Sequence, residues 1–93
     1  MTVQVTSIIS YYEALQTLGS RQLEVLKALK CLKVANNLMI SRFLGLPINS
    51  VTPRCLELKK KGIIIYHHTG ACPINGRATR FFTIKSYIND CMN

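Results

Sequence analysis

The sequence predicts a mainly α-helical chain that ends in a small β-hairpin, an α+β fold class. Through about residue 61, apolar residues recur at helical spacing in four segments, which Gly or Asn residues separate. After Gly62 the period changes, because runs of β-branched and aromatic residues at 63–66 and 77–84 flank a stretch rich in turn formers. We therefore expect four helices and two strands in a single domain over 1–93, with its core at about 7–85.

The first two predicted helices meet at Gly19. Apolar spacing predicts a helix over 7–18, which Gly19 would end in the left-handed conformation. Ser20 is the expected N-cap of a second helix that reaches Lys33. Its predicted apolar stripe consists of Leu23, Leu26, Leu29 and Leu32.

A short third helix is predicted over 38–44. Asn36 and Asn37 both offer N-caps, and Gly45 would end the helix. The apolar residues expected mostly in the core are Leu38, Ile40, Phe43 and Leu44.

The fourth predicted helix covers 49–61. Its expected buried residues follow the i, i+4, i+7 pattern and are Val51, Cys55 and Leu58. With Asn49 as the N-cap, Pro53 would fall in the first turn or just past it, where a missing N–H costs little. In the hairpin that follows, Phe82 and Ile84 are expected to face inward.

The charge is strongly positive. Twelve Lys and Arg residues against four Asp and Glu residues give a net charge of +8. All twelve lie between Arg21 and Lys85, where only Glu24 and Glu57 oppose them. This distribution favours a polyanionic partner, and a solvated basic surface is the alternative that charge alone leaves open.

The four cysteines are interpreted as reduced thiols. Their spacing contains no CxxC pair, and Cys31 and Cys55 are expected to fill small core sites. A zinc site made by Cys72, His67, His68 and a remote cysteine is the alternative. No leader and no apolar run of about 20 residues is recognised, so we expect a cytoplasmic protein without a membrane span.

The sequence argues against an enzyme. Its four carboxylates are scattered, and no glycine-rich phosphate loop is present. His67 and His68 are adjacent on a predicted strand, so we expect their side chains on opposite faces. We predict no catalytic residues, no metal, no cofactor and no small-molecule substrate.

The stretch over 38–62 carries the main functional signal. A short helix, a tight glycine turn and a second helix form a helix-turn-helix, whose second helix lays its N-terminal side chains in the DNA major groove. Asn pairs with adenine and Arg with guanine, while Ser and Thr reach bases or phosphates. The predicted base-proximal residues are Asn49, Ser50, Thr52 and Arg54, and the predicted phosphate contacts are Arg42, Lys60, Arg77 and Arg80.

The run LGLPINSVTPR, the following KKGII and the loop at 72–79 resemble winged helix-turn-helix domains, especially small ones encoded by phages and prophages. The resemblance implies a recognition helix at about 49–61 and a wing at about 63–84. It also implies a regulator of transcription that binds double-stranded DNA. Such regulators are often dimers, and one encoded by a phage would act in the host cytoplasm. Two features depart from the pattern: Leu56 is apolar where a polar residue is common, and the wing tip lacks Lys and Arg.

Other functions remain open at this point. A homodimer would use the amphipathic first helix, with Tyr11 and Tyr12, and the loosely patterned ends of the chain. A winged fold also serves as a protein-interaction module or a replication accessory, since fold does not fix function. Binding to structured RNA is less favoured, because side chains cannot read its deep, narrow major groove.

Overall fold

A computed structural model describes residues 13–85 of the chain, so the expectations for 1–12 and 86–93 lie outside the described residues. Residues 13–16 are helical and precede the first complete element. The elements are, in order, α1 (Ser20–Leu32), β1 (Val34–Ala35), α2 (Asn37–Leu44), α3 (Ile48–Lys60), β2 (Ile64–Ala71) and β3 (Ala78–Ile84). The predicted α+β class, with helices followed by a β-hairpin, is confirmed.

The junction at Gly19 differs from the prediction. Gly19 is extended, with φ −76° and ψ 170°, and it is the N-cap of α1, so Ser20 is the first helical residue rather than the cap. The side chain of Gln22 makes this possible, because its Oε1 accepts from the Gly19 N–H at 2.9 Å. The preceding helical residues end at position 16, and the Thr17 hydroxyl donates to the Ala14 carbonyl at 2.8 Å.

The buried face of α1 is only partly the predicted one. Val25, Ala28 and Leu29 are buried, whereas Leu23 is 38% exposed. Leu26 and Leu32 are partly buried and pack against the core. A repeat of three residues drifts by about 60° per step around a helix of 3.6 residues per turn, so four such leucines cannot share one face.

The strands form a three-stranded antiparallel sheet in the order β1-β3-β2. β1, which the sequence did not predict, pairs Val34 with Thr83 and Ala35 with Phe82. It follows Lys33, whose φ of 73° turns the chain out of α1. The Thr83 hydroxyl donates to the Lys33 carbonyl at 2.8 Å and secures this turn.

Helix α2 begins one residue earlier than predicted, at Asn37, and of the two asparagines offered as caps Asn36 is the N-cap. The Asn36 side chain accepts from the Met39 N–H at 2.8 Å, and Gly45 ends the helix in the left-handed conformation with φ 69°. Ile40 is fully buried, but Phe43 is 52% exposed, so its expected place in the core is wrong. Helical spacing shows that a segment is helical, but it does not show which neighbours cover a given side chain.

Helix α3 begins one residue earlier than expected, with Pro47 rather than Asn49 at the N-cap position. Pro53 is therefore the sixth residue of α3, inside the helix. Proline has no N–H, so the Asn49 carbonyl lacks its usual donor four residues along. Val51, Cys55 and Leu58 form the buried face, as predicted.

The core lies between the three helices and the sheet. Its buried residues come from every element except β3, together with Ile63 before β2: Val25, Ala28, Leu29, Ala35, Ile40, Val51, Cys55, Leu58, Ile63 and Ile64. Phe82 and Ile84 of β3 are partly buried and pack against this core, which confirms their inward orientation. Among the described residues, no helix combines the length and apolarity needed to cross a bilayer.

Candidate nucleic-acid interface

A tight turn joins α2 to α3. The left-handed Gly45 donates its N–H to the Arg42 carbonyl at 3.3 Å, and the Leu46 N–H donates to the Ser41 carbonyl at 3.0 Å. The buried Ser41 hydroxyl donates in turn to the Leu46 carbonyl. These bonds fix the path of the chain as it leaves α2, and a tight turn of this kind is what a helix-turn-helix needs in order to present its second helix.

One face of α3 points away from the core. Opposite the buried residues, at i, i+4, i+7 and i+11, lies a row of exposed side chains that we call the outer stripe: Asn49, Pro53, Leu56 and Lys60. Leu56, at the middle of this row, is 53% exposed. Two of the predicted DNA-contacting residues, Asn49 and Lys60, lie at its two ends.

Thr52 and Ser50 lie on the flanks of α3. The exposed Thr52 hydroxyl accepts from the Asn37 amide at 3.4 Å, which links the first residue of α2 to α3. Ser50 is half-buried on the opposite flank. Thr52 therefore has a fixed orientation beside the outer stripe, whereas Ser50 is turned partly toward the protein.

Arg54 is held by other side chains. Its Nη2 donates to Glu57 Oε2 at 2.9 Å, and its Nε lies 2.9 Å from Glu57 Oε1. The same Oε1 accepts from Gln22 Nε2 at 2.6 Å, so α1 anchors the pair. The guanidinium thus lies on the α1 side of α3, with a side chain that is only 34% exposed.

The wing, which consists of β2, the turn 72–77 and β3, lies beside α3. Between them is a cleft of about 330 Å³. Its polar and apolar lining residues are Asn37, Thr52, Cys55, Leu56, Lys59, Thr79, Arg80 and Phe82. Lys59 Nζ lies 5.8 Å from the centre of the Phe82 ring, a cation–π distance that holds the ammonium at the cleft. Two cations, from helix and wing, therefore border one cleft.

The wing has the predicted extent, but its first strand is longer and more irregular than predicted. β2 continues to Ala71, and a register shift between Tyr66 and His68 interrupts its pairing with β3. Because of this bulge, His67 and His68 do not point to opposite faces as expected: their Nδ1 atoms lie 2.7 Å apart. The His68 ring also stacks on Phe81, with centroids 4.5 Å apart.

Cys72 lies at the base of the wing turn and is buried. Burial disfavours its thiolate, but the nearby backbone of Asn75 and Ile74, the Asn36 side chain and the charge of Arg42 together lower its pKa. Arg42 of α2 thus lies close to the wing. Its own side chain is exposed, as are those of Arg77 and Arg80.

Cys55 and Cys31 differ in their burial. Cys55 is buried as expected, and burial raises its pKa to about 12. Cys31 is exposed on α1, so its expected core position is wrong. Within residues 13–85, no three His, Cys, Asp or Glu side chains converge as a metal site would require.

The structure brings only some of the predicted residues together. Thr52 and Arg80 border the cleft, Asn49 and Lys60 lie on the outer stripe, and Arg54 lies on the opposite flank. The sequence interpretation missed the cleft residues Asn37, Thr79 and Phe82. Strand alternation places Phe82 inward, but no local pattern indicates which helix faces it.

Within residues 13–85, the three complete helices, of which α2 and α3 form a helix-turn-helix between β1 and β2, and the β-hairpin that follows define a winged helix-turn-helix fold. Two solved structures share this fold, both of a cysteine-to-serine variant of MarR from E. coli. The one in complex with operator DNA is 15% identical with a TM-score of 0.59, over 76% of this chain and 48% of that chain. The other is 14% identical with a TM-score of 0.62, over 98% of this chain and 72% of that chain.

The match to the DNA complex spans about half the length of the MarR chain. At such low identity the likeness concerns the fold. No family model and no characterised protein sequence matches the chain.

Proposed function

We propose that this protein is a regulator of transcription that binds double-stranded DNA in a sequence-specific manner, with α3 as the recognition helix and the wing beside it. The observation that carries the proposal is the outer stripe of α3, exposed along its length and bordered by Lys59 and Arg80 across one cleft. A helix of this kind fits the major groove, while cations on either side meet phosphates. The MarR structure with operator DNA supports the proposal by its shared fold.

In this proposal Asn49, Ser50, Thr52 and Arg54 are the base-proximal residues. To contact a base, Arg54 must first break its ion pair with Glu57. Its net contribution to DNA affinity is therefore the difference between these two interactions. Phosphate contacts come from Arg42, Lys60, Arg77 and Arg80, whose side chains are exposed. The turn at the tip of the wing carries no cation before Arg77, so we expect the strands rather than the tip to contact phosphates.

The proposal extends to the assembly and origin of the protein. We propose a homodimer that recognises two half-sites related by a two-fold axis, in a phage or prophage regulator that acts in the host cytoplasm. A nuclease footprint tests the dimer: two protected half-sites about one helical turn apart are expected, and one asymmetric site would contradict it.

Selection from a random pool of duplex DNA at two salt concentrations tests the function. We expect a defined motif to be enriched at the higher salt concentration, with affinity that falls steeply as salt rises. Binding without enrichment would indicate a general or accessory DNA-binding protein. An absence of binding even at low salt would contradict the proposal.

A second candidate, a protein-interaction module, is favoured by one observation: Leu56 and Phe43 are 53% and 52% exposed. Charge reversal separates the two candidates. Lys60→Glu should abolish the DNA complex but preserve a protein complex centred on Leu56. Lys30→Glu, an exposed change on α1, is the matched control and should leave both unaffected.

A further inference from the structure

The centre of the outer stripe is apolar. Between Asn49 and Lys60 the outer stripe itself consists of Pro53 and Leu56, and neither side chain carries a hydrogen-bonding group. Leu56 is 53% exposed and lies outside the core cluster of residues 13–85. An apolar residue at the centre of a candidate interface gains free energy when a partner buries it.

The base edges of the major groove offer one apolar group. Each base pair shows hydrogen-bond donors and acceptors there, and thymine adds its C5-methyl group. A leucine in the groove cannot pair with the polar edges, and facing them would leave them desolvated and unsatisfied. A thymine methyl group is therefore the complement that an apolar stripe can bind without such a cost.

We propose that Leu56, together with the ring of Pro53, recognises thymine C5-methyl groups, so that α3 selects duplexes with thymine at the centre of its site. This inference rests on the proposed DNA-binding function and adds the base that the helix reads. It assigns specificity to two residues that make no hydrogen bond, and it accounts for an apolar residue at position 56.

The charges around the stripe favour DNA over an apolar protein surface as the occupant. Lys60 ends the stripe itself, and Lys59 and Arg80 border the cleft that Leu56 also lines. These cations are placed to meet the phosphates on the edges of a groove while the apolar centre faces the bases. An apolar protein partner would have to cover the same cations, which is costly without matching carboxylates.

The test uses the duplex that selection enriches. Thymines in the protected site are replaced one at a time by deoxyuridine, which keeps base pairing and removes only the methyl group. At each contacted position the wild-type affinity should fall about fourfold, the value of one buried methyl group. Leu56→Ala should bind the thymine duplex more weakly and should lose the discrimination between thymine and deoxyuridine.

Two controls test whether the effect is specific to Leu56 and to the contacted thymines. Leu23→Ala removes another exposed leucine, on α1, and should keep the full discrimination. Deoxyuridine placed outside the footprint should leave the affinity unchanged. Far-ultraviolet circular dichroism of Leu56→Ala is expected to match the wild type, because the side chain is half in solvent.

The outcomes separate the inference from the function on which it rests. If wild-type protein binds a defined motif with equal affinity for thymine and deoxyuridine at every position, the inference is overturned and the proposed function stands. Discrimination that persists in Leu56→Ala also overturns it, since other residues would then read the methyl group. If no duplex binds, the proposed function fails first, and the inference fails with it.

Discussion

Asn36 joins β1 to α2 and caps that helix, and its replacement should destabilise the protein measurably. The residue is 1% exposed and directly follows β1. Its side-chain oxygen caps α2 by accepting from the Met39 N–H at 2.8 Å, while its buried Nδ2 has no hydrogen-bond partner among the described residues.

The expected magnitude follows from these contacts. Asn36→Ala removes the cap, which costs about 0.5–2 kcal/mol, and leaves a small void at a residue that is buried in the protein. We therefore expect the free energy of unfolding to fall by about 1–2 kcal/mol, or a melting temperature lower by roughly 5–15 °C in a domain of this size. Asn36→Ser keeps a capping oxygen and should recover about half of the loss.

Equilibrium unfolding in urea, followed by far-ultraviolet circular dichroism, measures these differences. The matched control is Asn49→Ala, an exposed asparagine on α3, for which we expect a change within about 0.5 kcal/mol. The reasoning is refuted if Asn36→Ala is no less stable than Asn49→Ala, or if Asn36→Ser is as unstable as Asn36→Ala.

Four further predictions follow from the core and the interface. Leu58 has no exposed surface, so Leu58→Ala opens a cavity and should lower the free energy of unfolding in urea by about 2–5 kcal/mol. A decrease of less than about 1 kcal/mol would contradict this prediction. Burial raises the pKa of Cys55 from 9.0 to about 12, so the fold holds the neutral thiol and its stability should fall as pH rises above 9. Between pH 8 and 10 the free energy of unfolding of the wild type should fall by about 1 kcal/mol more than that of Cys55→Ala. Equal decreases in the two proteins would contradict the raised pKa of Cys55. Arg54→Ala should weaken binding to the selected duplex by about 1–3 kcal/mol and relax preference at one base pair; equal losses on all sequences would limit Arg54 to phosphate contact. Glu57→Gln, which frees Arg54, should change stability by at most about 1 kcal/mol.

The parts of the fold that periodic patterns specify could be predicted from the sequence. Val51, Cys55 and Leu58 repeat with the period of a helix and are buried together in α3. Gly45 and Gly62, which have φ of 69° and 77°, end their helices where the sequence placed the breaks. These predictions succeed because a helical face and a left-handed terminus are local properties.

The failures involve contacts between distant segments. β1 has only two residues, too few to show alternation, and it exists because β3 lies beside it. The position of Arg54 depends on Gln22, which is remote in sequence and reaches Glu57 across the helix interface. The bulge before His68 likewise arises from pairing with β3 rather than from a local signal. The candidate interface was therefore predicted as a helix, but not in the orientation of its individual side chains.

The salt dependence of DNA affinity tests the central proposal most directly. Fluorescence anisotropy would follow the selected duplex with wild-type protein and with the double variant Lys60→Ala and Arg80→Ala, using Lys27→Ala and Lys30→Ala as the control. Each lost phosphate contact should reduce the magnitude of the slope of log affinity against log salt by about 0.9. The slope of the double variant should therefore be smaller by about 1.8, and the slope of the control should equal that of the wild type. A slope equal to the wild-type slope in the double variant, or no binding by any form, would contradict the proposal that α3 and the wing bind DNA.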